Sequence, residues 1–179
     1  MEIVGKIRWL MVLATAALLA SPISSATAGQ NGDYKRIFVF GDSLLDVGND
    51  PAITFLLPDG NPGLVIPPPP RYDRGRFANG PVFVDYIASK LGIILKPSET
   101  GSDLQKDSVS YGYGGAETGI LNLTPGGFPV PGLYGQVNKF ADDLSDSGAN
   151  AEKALFIAWA GANDYLNALA KGEAPDPTI

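Results

Sequence analysis

The sequence predicts an α/β fold, a three-layer α/β/α sandwich on a mainly parallel sheet, and three observations carry that expectation. The apolar runs Ile37-Phe38-Val39-Phe40 and Ala154 to Trp159 are long enough for buried strands and too short for helices. Val82, Phe83, Tyr86, Ile87 and Leu91 recur at helical spacing and would share one face. Strands that alternate with helices argue for a parallel sheet covered by helices on both faces.

Residues 1–28 read as a secretory signal peptide. Lys6 and Arg8 give a positive start, Trp9 to Ala20 an apolar stretch too short to span a bilayer comfortably, and Ala26-Thr27-Ala28 the small residues of a cleavage site. Its removal takes away Glu2, Lys6 and Arg8, lowering the formal net charge of −6 by one unit. Residues 29–179 then belong to one domain of a secreted protein, extracellular or periplasmic, with no stable membrane span. Arg36 to Phe40 is its first strand. A loop over Pro51 to Arg74 comes next, stiffened by Pro67-Pro68-Pro69-Pro70, which cannot lie in a central strand. Pro81 to Leu91 predicts a helix with Asn79 as N-cap and Gly92 as stop. Ile93 to Leu95 and Ser108 to Tyr113 predict the next two strands. Asn122 to Gly135 is a second loop, rich in Gly and Pro, carrying the glycosylation sequon Asn122-Leu123-Thr124. Gln136 to Leu144 predicts a helix, Ala154 to Trp159 a fourth strand, and Asn163 to Ala170 a last helix ending near Gly172.

The chemistry-bearing feature is Gly41-Asp42-Ser43-Leu44, which puts a serine hydroxyl where a buried strand breaks into a turn. Glycine permits a sharp turn there, and a helix directly after it would bring its N-terminal dipole near Ser43. Tyr113-Gly114-Gly115-Ala116 and Trp159-Ala160-Gly161-Ala162-Asn163-Asp164 also fall at the carboxyl ends of predicted strands, where open parallel sheets bind ligands. With Phe40 to Asn49 and Gly75-Arg76-Phe77-Ala78-Asn79-Gly80, these segments make the chain resemble the GDSL family of SGNH serine hydrolases, particularly its secreted esterase and lipase branch. The resemblance runs from about Lys35 to Leu166 and implies the SGNH, flavodoxin-like form of the sandwich. It also implies hydrolysis of a carboxylic ester by Ser43, with an oxyanion hole made by the backbone N–H of Ser43, the backbone N–H of Gly115 and the side-chain amide of Asn163. A glycine at 115 lets the backbone approach substrate without a Cβ in the way, and an amide gives Asn163 an uncharged donor. Read from the residues alone, Gly114-Gly115 is equally an ordinary strand-end turn and Asn163 an N-cap. Ser110 departs from the family, which usually carries Asn four residues before the first glycine of this pair. Asp42 reads as a turn-stabilising group, Asp46 and Asn49 as organisers of the loop after Ser43, and Arg76 as a structural donor or a surface charge.

What the sequence lacks bounds the function as well. A serine hydroxyl needs a base, usually a histidine oriented by a carboxylate, and the chain has no histidine. Asp176-Pro177-Thr178-Ile179 has isoleucine where the family's Asp-x-x-His segment places the base, and Glu117 has no supporting partner in the sequence. The expectation is an N-terminal portion of the hydrolase, truncated before its last strand and helix, with the base beyond residue 179. A noncatalytic ligand-binding module or pseudoenzyme on the same fold is the alternative. Without cysteine or histidine the usual zinc sites are not expected, nor any cofactor. An acidic chain without a Lys/Arg cluster does not suit nucleic acid, so the expected partner is an ester substrate, a lipid or an acetylated sugar. No substrate-binding residue is assigned at this level.

Overall fold

The computed structural model describes residues 34–55, 65–124 and 127–174, so the signal-peptide segment and the Asp176 to Ile179 stretch lie outside the described residues. The strands are β1 (Arg36–Gly41), β2 (Leu95–Pro97), β3 (Ser108–Ser110), β4 (Leu121–Leu123), β5 (Pro129–Pro131) and β6 (Ala154–Trp159). The helices among the described residues are α1 (Asn49–Phe55), α2 (Phe83–Lys90), α3 (Leu133–Ser147) and α4 (Ala162–Lys171). Strands β2, β3, β1 and β6 form one sheet in that order, every pair parallel. The alternation of β1 builds the layers. Ile37 and Val39 pack on one face with Val84 and Ala88 of α2 and with Leu95. Phe38 and Phe40 pack on the other with Phe140 of α3, Val109 and Tyr111. Phe38 and Phe140 meet at 4.7 Å between ring centroids, and Phe40 stacks on Tyr111 at 5.5 Å. Both faces of β1 are therefore buried under side chains, as a central parallel strand requires.

The expected elements are present with shifted ends, and the shifts have physical reasons. Helix α2 begins at Phe83 and is not capped by Asn79; the carboxylate of Asp85 accepts the Val82 N–H at 2.9 Å and does the capping. Arg76 braces that carboxylate with two bonds, 2.7 Å from Nε and 2.8 Å from Nη2, which makes it a structural donor. Strand β2 starts at Leu95 rather than Ile93, and β3 ends at Ser110 although Tyr111 and Tyr113 still donate their N–H groups to Val39 and Gly41 at 2.7 and 3.0 Å. Helix α3 starts three residues before Gln136, at Leu133. Three elements occupy stretches expected to be loops. Helix α1 lies at the head of the Pro51 to Arg74 stretch, where Pro51 is tolerated in the first turn. Strands β4 and β5 pair antiparallel, β4 starting one residue before the Asn122 to Gly135 stretch and β5 lying within it, three residues each and too short to show a strand period. No helix among the described residues is long and apolar enough to cross a membrane.

Candidate active site

Strand β1 lies between β3 and β6, and all three run the same way, so their carboxyl ends share one edge of the sheet. Ser43 comes after β1, Gly115 after β3 and Asn163 after β6. The approach is close at the floor of this edge. Gly41 is in register with Trp159, and a Cβ on Gly41 would lie 2.1 Å from the Trp159 carbonyl oxygen. Only glycine fits there.

Ser43 is half-buried in a turn from Asp42 to Asp46. The N–H groups of Leu45 and Asp46 donate to the Asp42 carbonyl at 3.0 and 3.1 Å, and Leu44 N–H donates to Asp42 Oδ1 at 3.0 Å. Asp42 is thus the turn-stabilising group expected, and its burial raises its pKa. The helix expected directly after Ser43 does not form; α1 starts only at Asn49, so no helix dipole acts on Ser43. Instead, the Ser43 N–H is left without an acceptor among the described residues. Asp46 organises the entry into α1, accepting Gly48 and Asn49 N–H at 2.7 and 2.6 Å on Oδ1 and Asp50 N–H at 3.2 Å on Oδ2.

Gly115 stands at the third position of a turn closed by Ala116 N–H to the Tyr113 carbonyl at 3.2 Å. Its φ of +79° is the conformation for which such turns take glycine. The strand-end turn read from the residues is therefore present, and within it the Gly115 N–H has no acceptor among the described residues. Neighbouring groups are held from both sides. Gly114 N–H donates to Asp50 Oδ1 at 3.1 Å, and Asn122 Nδ2 donates to the Gly115 carbonyl at 2.8 Å. Burial, reinforced by the negative Asp46 beside it, pushes the Asp50 carboxyl well above the usual range, and burial raises Asp46 as well.

Asn163 is not an N-cap. Gly161 occupies that position with φ +107°, and Asn163 is the second residue of α4, its Nδ2 donating to the Ala116 carbonyl at 2.8 Å. One of the two amide protons is so used, and the other remains. Asp164 ties the same segments together by accepting Thr118 Oγ1 at 2.7 Å and Thr118 N–H at 3.0 Å. Glu117 is engaged by Asn167 Nδ2 at 2.6 Å.

Other groups position the site through partners that the sequence does not disclose. Gln136, fully buried on α3, accepts Gly41 N–H at 2.7 Å and donates to the carbonyls of Gly41 and Pro131, each at 2.9 Å. Asn49, expected as a loop organiser, donates to the carbonyls of Ser110 and Gly112 at 2.9 Å and accepts from the Ser98 hydroxyl and the Glu99 N–H, each at 3.1 Å. Ser110 donates to the Leu45 carbonyl at 2.6 Å, joining β3 to the serine loop. Only a buried Gln or Asn in a helix or loop pattern would have flagged such clamps, and nothing in sequence spacing says which strand they reach.

A family model described as GDSL-like lipase/acylhydrolase matches residues 37–178. A GDSL esterase/lipase of Arabidopsis thaliana is 34% identical over 161 residues, covering 79% of this chain and 42% of the relative. A second from the same plant is 37% identical over 153 residues, covering 76% of this chain and 38% of the relative. A third is 31% identical over 182 residues, covering 88% and 48%. The chain thus spans less than half the length of these relatives.

Proposed function

We propose that this chain, which belongs to the GDSL-like lipase/acylhydrolase family, carries the nucleophile and oxyanion hole of a serine ester hydrolase. Ser43 Oγ attacks the ester carbonyl carbon while a base takes the hydroxyl proton. The carbonyl electron pair moves onto oxygen, which is held by the N–H of Ser43, the N–H of Gly115 and the Asn163 amide. Collapse breaks the bond to the alcohol oxygen, which leaves with the proton from the base, and an acyl-serine remains. Water then attacks by the same route, releasing the acid and restoring Ser43. The observation that carries this reading is the convergence of three parallel strand ends, with unpartnered N–H groups at Ser43 and Gly115 among the described residues. These 179 residues contain no histidine to serve as that base. That the relatives are more than twice as long as the part matched supports a histidine base supplied from outside these residues. Export is inferred from the residue 1–28 pattern.

The missing histidine also favours a second reading, a noncatalytic ester-binding module on the same fold. Hydrolysis of 4-nitrophenyl acetate by the full-length protein separates the two. Under the first reading turnover is measurable, Ser43→Ala abolishes it, and a fluorophosphonate labels Ser43. Full activity in Ser43→Ala overturns the nucleophile assignment, and substrate binding without turnover by the full-length protein supports the module.

A further inference from the structure

We infer that the cavity beside Gly115 is the acyl pocket of the proposed site and selects short acyl chains, of about four to eight carbons. This rests on the ester-hydrolase reading above and narrows its substrate. The cavity has a volume of about 170 Å³, and Ile53, Ile66, Phe77, Phe128 and Val130 line it together with Gly114 and Gly115. Gly115 is the link to the chemistry. Gly115 itself forms part of the cavity wall, so an ester whose carbonyl oxygen is held on the Gly115 N–H lies beside it.

The lining makes no polar demand on its guest. Thr54 Oγ1 donates to the Asp50 carbonyl at 2.8 Å and accepts Ile66 N–H at 3.1 Å, and Thr124 Oγ1 accepts Phe128 N–H at 3.2 Å. Asp50, the one acid among the described lining residues, already accepts Gly114 N–H and is held toward its neutral form by burial. Among the described lining residues, Asp50, Thr54 and Thr124 each already make a hydrogen bond within the wall and the other side chains are apolar, so a sugar hydroxyl is poorly matched there, while an alkyl group loses only water. Volume sets the length. An apolar cavity of about 150 Å³ holds benzene, a six-carbon guest, so this one accommodates a chain of that order, and carbons beyond it gain no burial there.

The test is a series of 4-nitrophenyl esters from acetate to palmitate on the full-length protein. kcat/KM should rise about threefold per methylene, roughly a hundredfold from acetate to hexanoate, then fall beyond octanoate. Ile53→Trp, which fills a half-buried wall, should lower the hexanoate-to-acetate ratio at least about tenfold, and Phe128→Ala should move the optimum to longer chains. A merely structural role would not shift the two variants in opposite directions. A flat chain-length profile with acetate turnover intact overturns the pocket and leaves the hydrolase reading standing; no turnover of any ester overturns the latter. In that case ligand-observed NMR with Ser43→Ala still reads the cavity, since hexanoate should bind where acetate does not. A length optimum that tracks the alcohol in a series of alkyl butyrates also refutes the acyl assignment.

Discussion

Replacing Gln136 with Leu tests whether the floor of the site is held from α3. The side chain is fully buried and makes three hydrogen bonds, two of them to Gly41, two residues before Ser43. Leucine is of similar size but leaves the Gly41 N–H without an acceptor, while the Gly41 carbonyl keeps the Tyr113 N–H at 3.0 Å. One orphaned buried donor costs about 1–3 kcal/mol, and the two further lost bonds about 0.5–1.5 kcal/mol each, for a total of about 4 kcal/mol at mid-range. In a protein of this size that lowers Tm by about 8–16 °C, measurable by calorimetry. The variant should also lose turnover of a short nitrophenyl ester, because Gly41 fixes where the Ser43 turn begins. Gln136→Glu supplies a sharper check. It keeps an acceptor for Gly41 N–H but sets an oxygen against two carbonyls, so the introduced carboxyl has a raised folded-state pKa. Its destabilisation should therefore ease as pH falls toward the unfolded value and grow as pH rises. A Tm within about 2 °C of the parent for Gln136→Leu would refute the clamp.

Asn163→Ala should lower kcat on the full-length protein by about 10² to 10³ while moving KM little, since an oxyanion donor acts mainly in the transition state; a KM effect alone would remove it from that role. Asp50, its pKa pushed up to about 8 by burial and then by Asp46, contributes stability that is complete below the unfolded value and is lost as pH rises through the folded one. Asp50→Asn should flatten that decline between about pH 4 and 8 in denaturant titrations, and an unchanged slope would assign the decline to other groups. Asn122, buried with both ends of its amide in use, should carry no glycan when the protein is exported from a eukaryotic host; intact mass reads the sugar directly. The same mass should show a chain beginning after Ala28, and retention of Met1 on exported protein would contradict the cleavage site.

The parts of the fold legible in the sequence are those whose signal is local. β1 and β6 show as apolar runs because a strand buried on both faces tolerates little else, and α2 shows as a helical stripe because only one of its faces meets the sheet. Helix α1 was hidden because its seven residues include Pro51 and its cap, Asp46, lies three residues upstream in what reads as a loop. The β4–β5 hairpin was hidden because Pro129 and Pro131 argue against a strand; an edge pair of three residues accepts them. Ser43, Gly115 and Asn163 were singled out in the sequence by segments that resemble the GDSL family. Gln136 was not, because its partner lies 95 residues away in sequence and no periodicity connects them.

Two of the three proposed oxyanion donors are backbone groups, and a backbone N–H cannot be aimed by its own side chain. The aim must come from the groups that grip the peptides on either side. At Gly115 the grip is Asp50 on the preceding N–H and Asn122 on the Gly115 carbonyl; below Ser43 it is Gln136 on both polar groups of Gly41. Asn49 does the same for the carbonyls of Ser110 and Gly112. Three of these four clamps are amides, which fix dipoles without adding charge. That choice suits the reaction. A full negative charge about 6 Å from a developing oxyanion would cost about 3 kcal/mol at an effective dielectric of 20, roughly the worth of one donor. The single carboxylate in the set is the one that burial and a like-charged neighbour push toward neutrality. Asp46, the neighbour, carries the charge where three backbone N–H groups can absorb it. The acidic pair thus divides its labour: one member binds backbone as an anion, and the other braces the turn at Gly115 with little charge of its own.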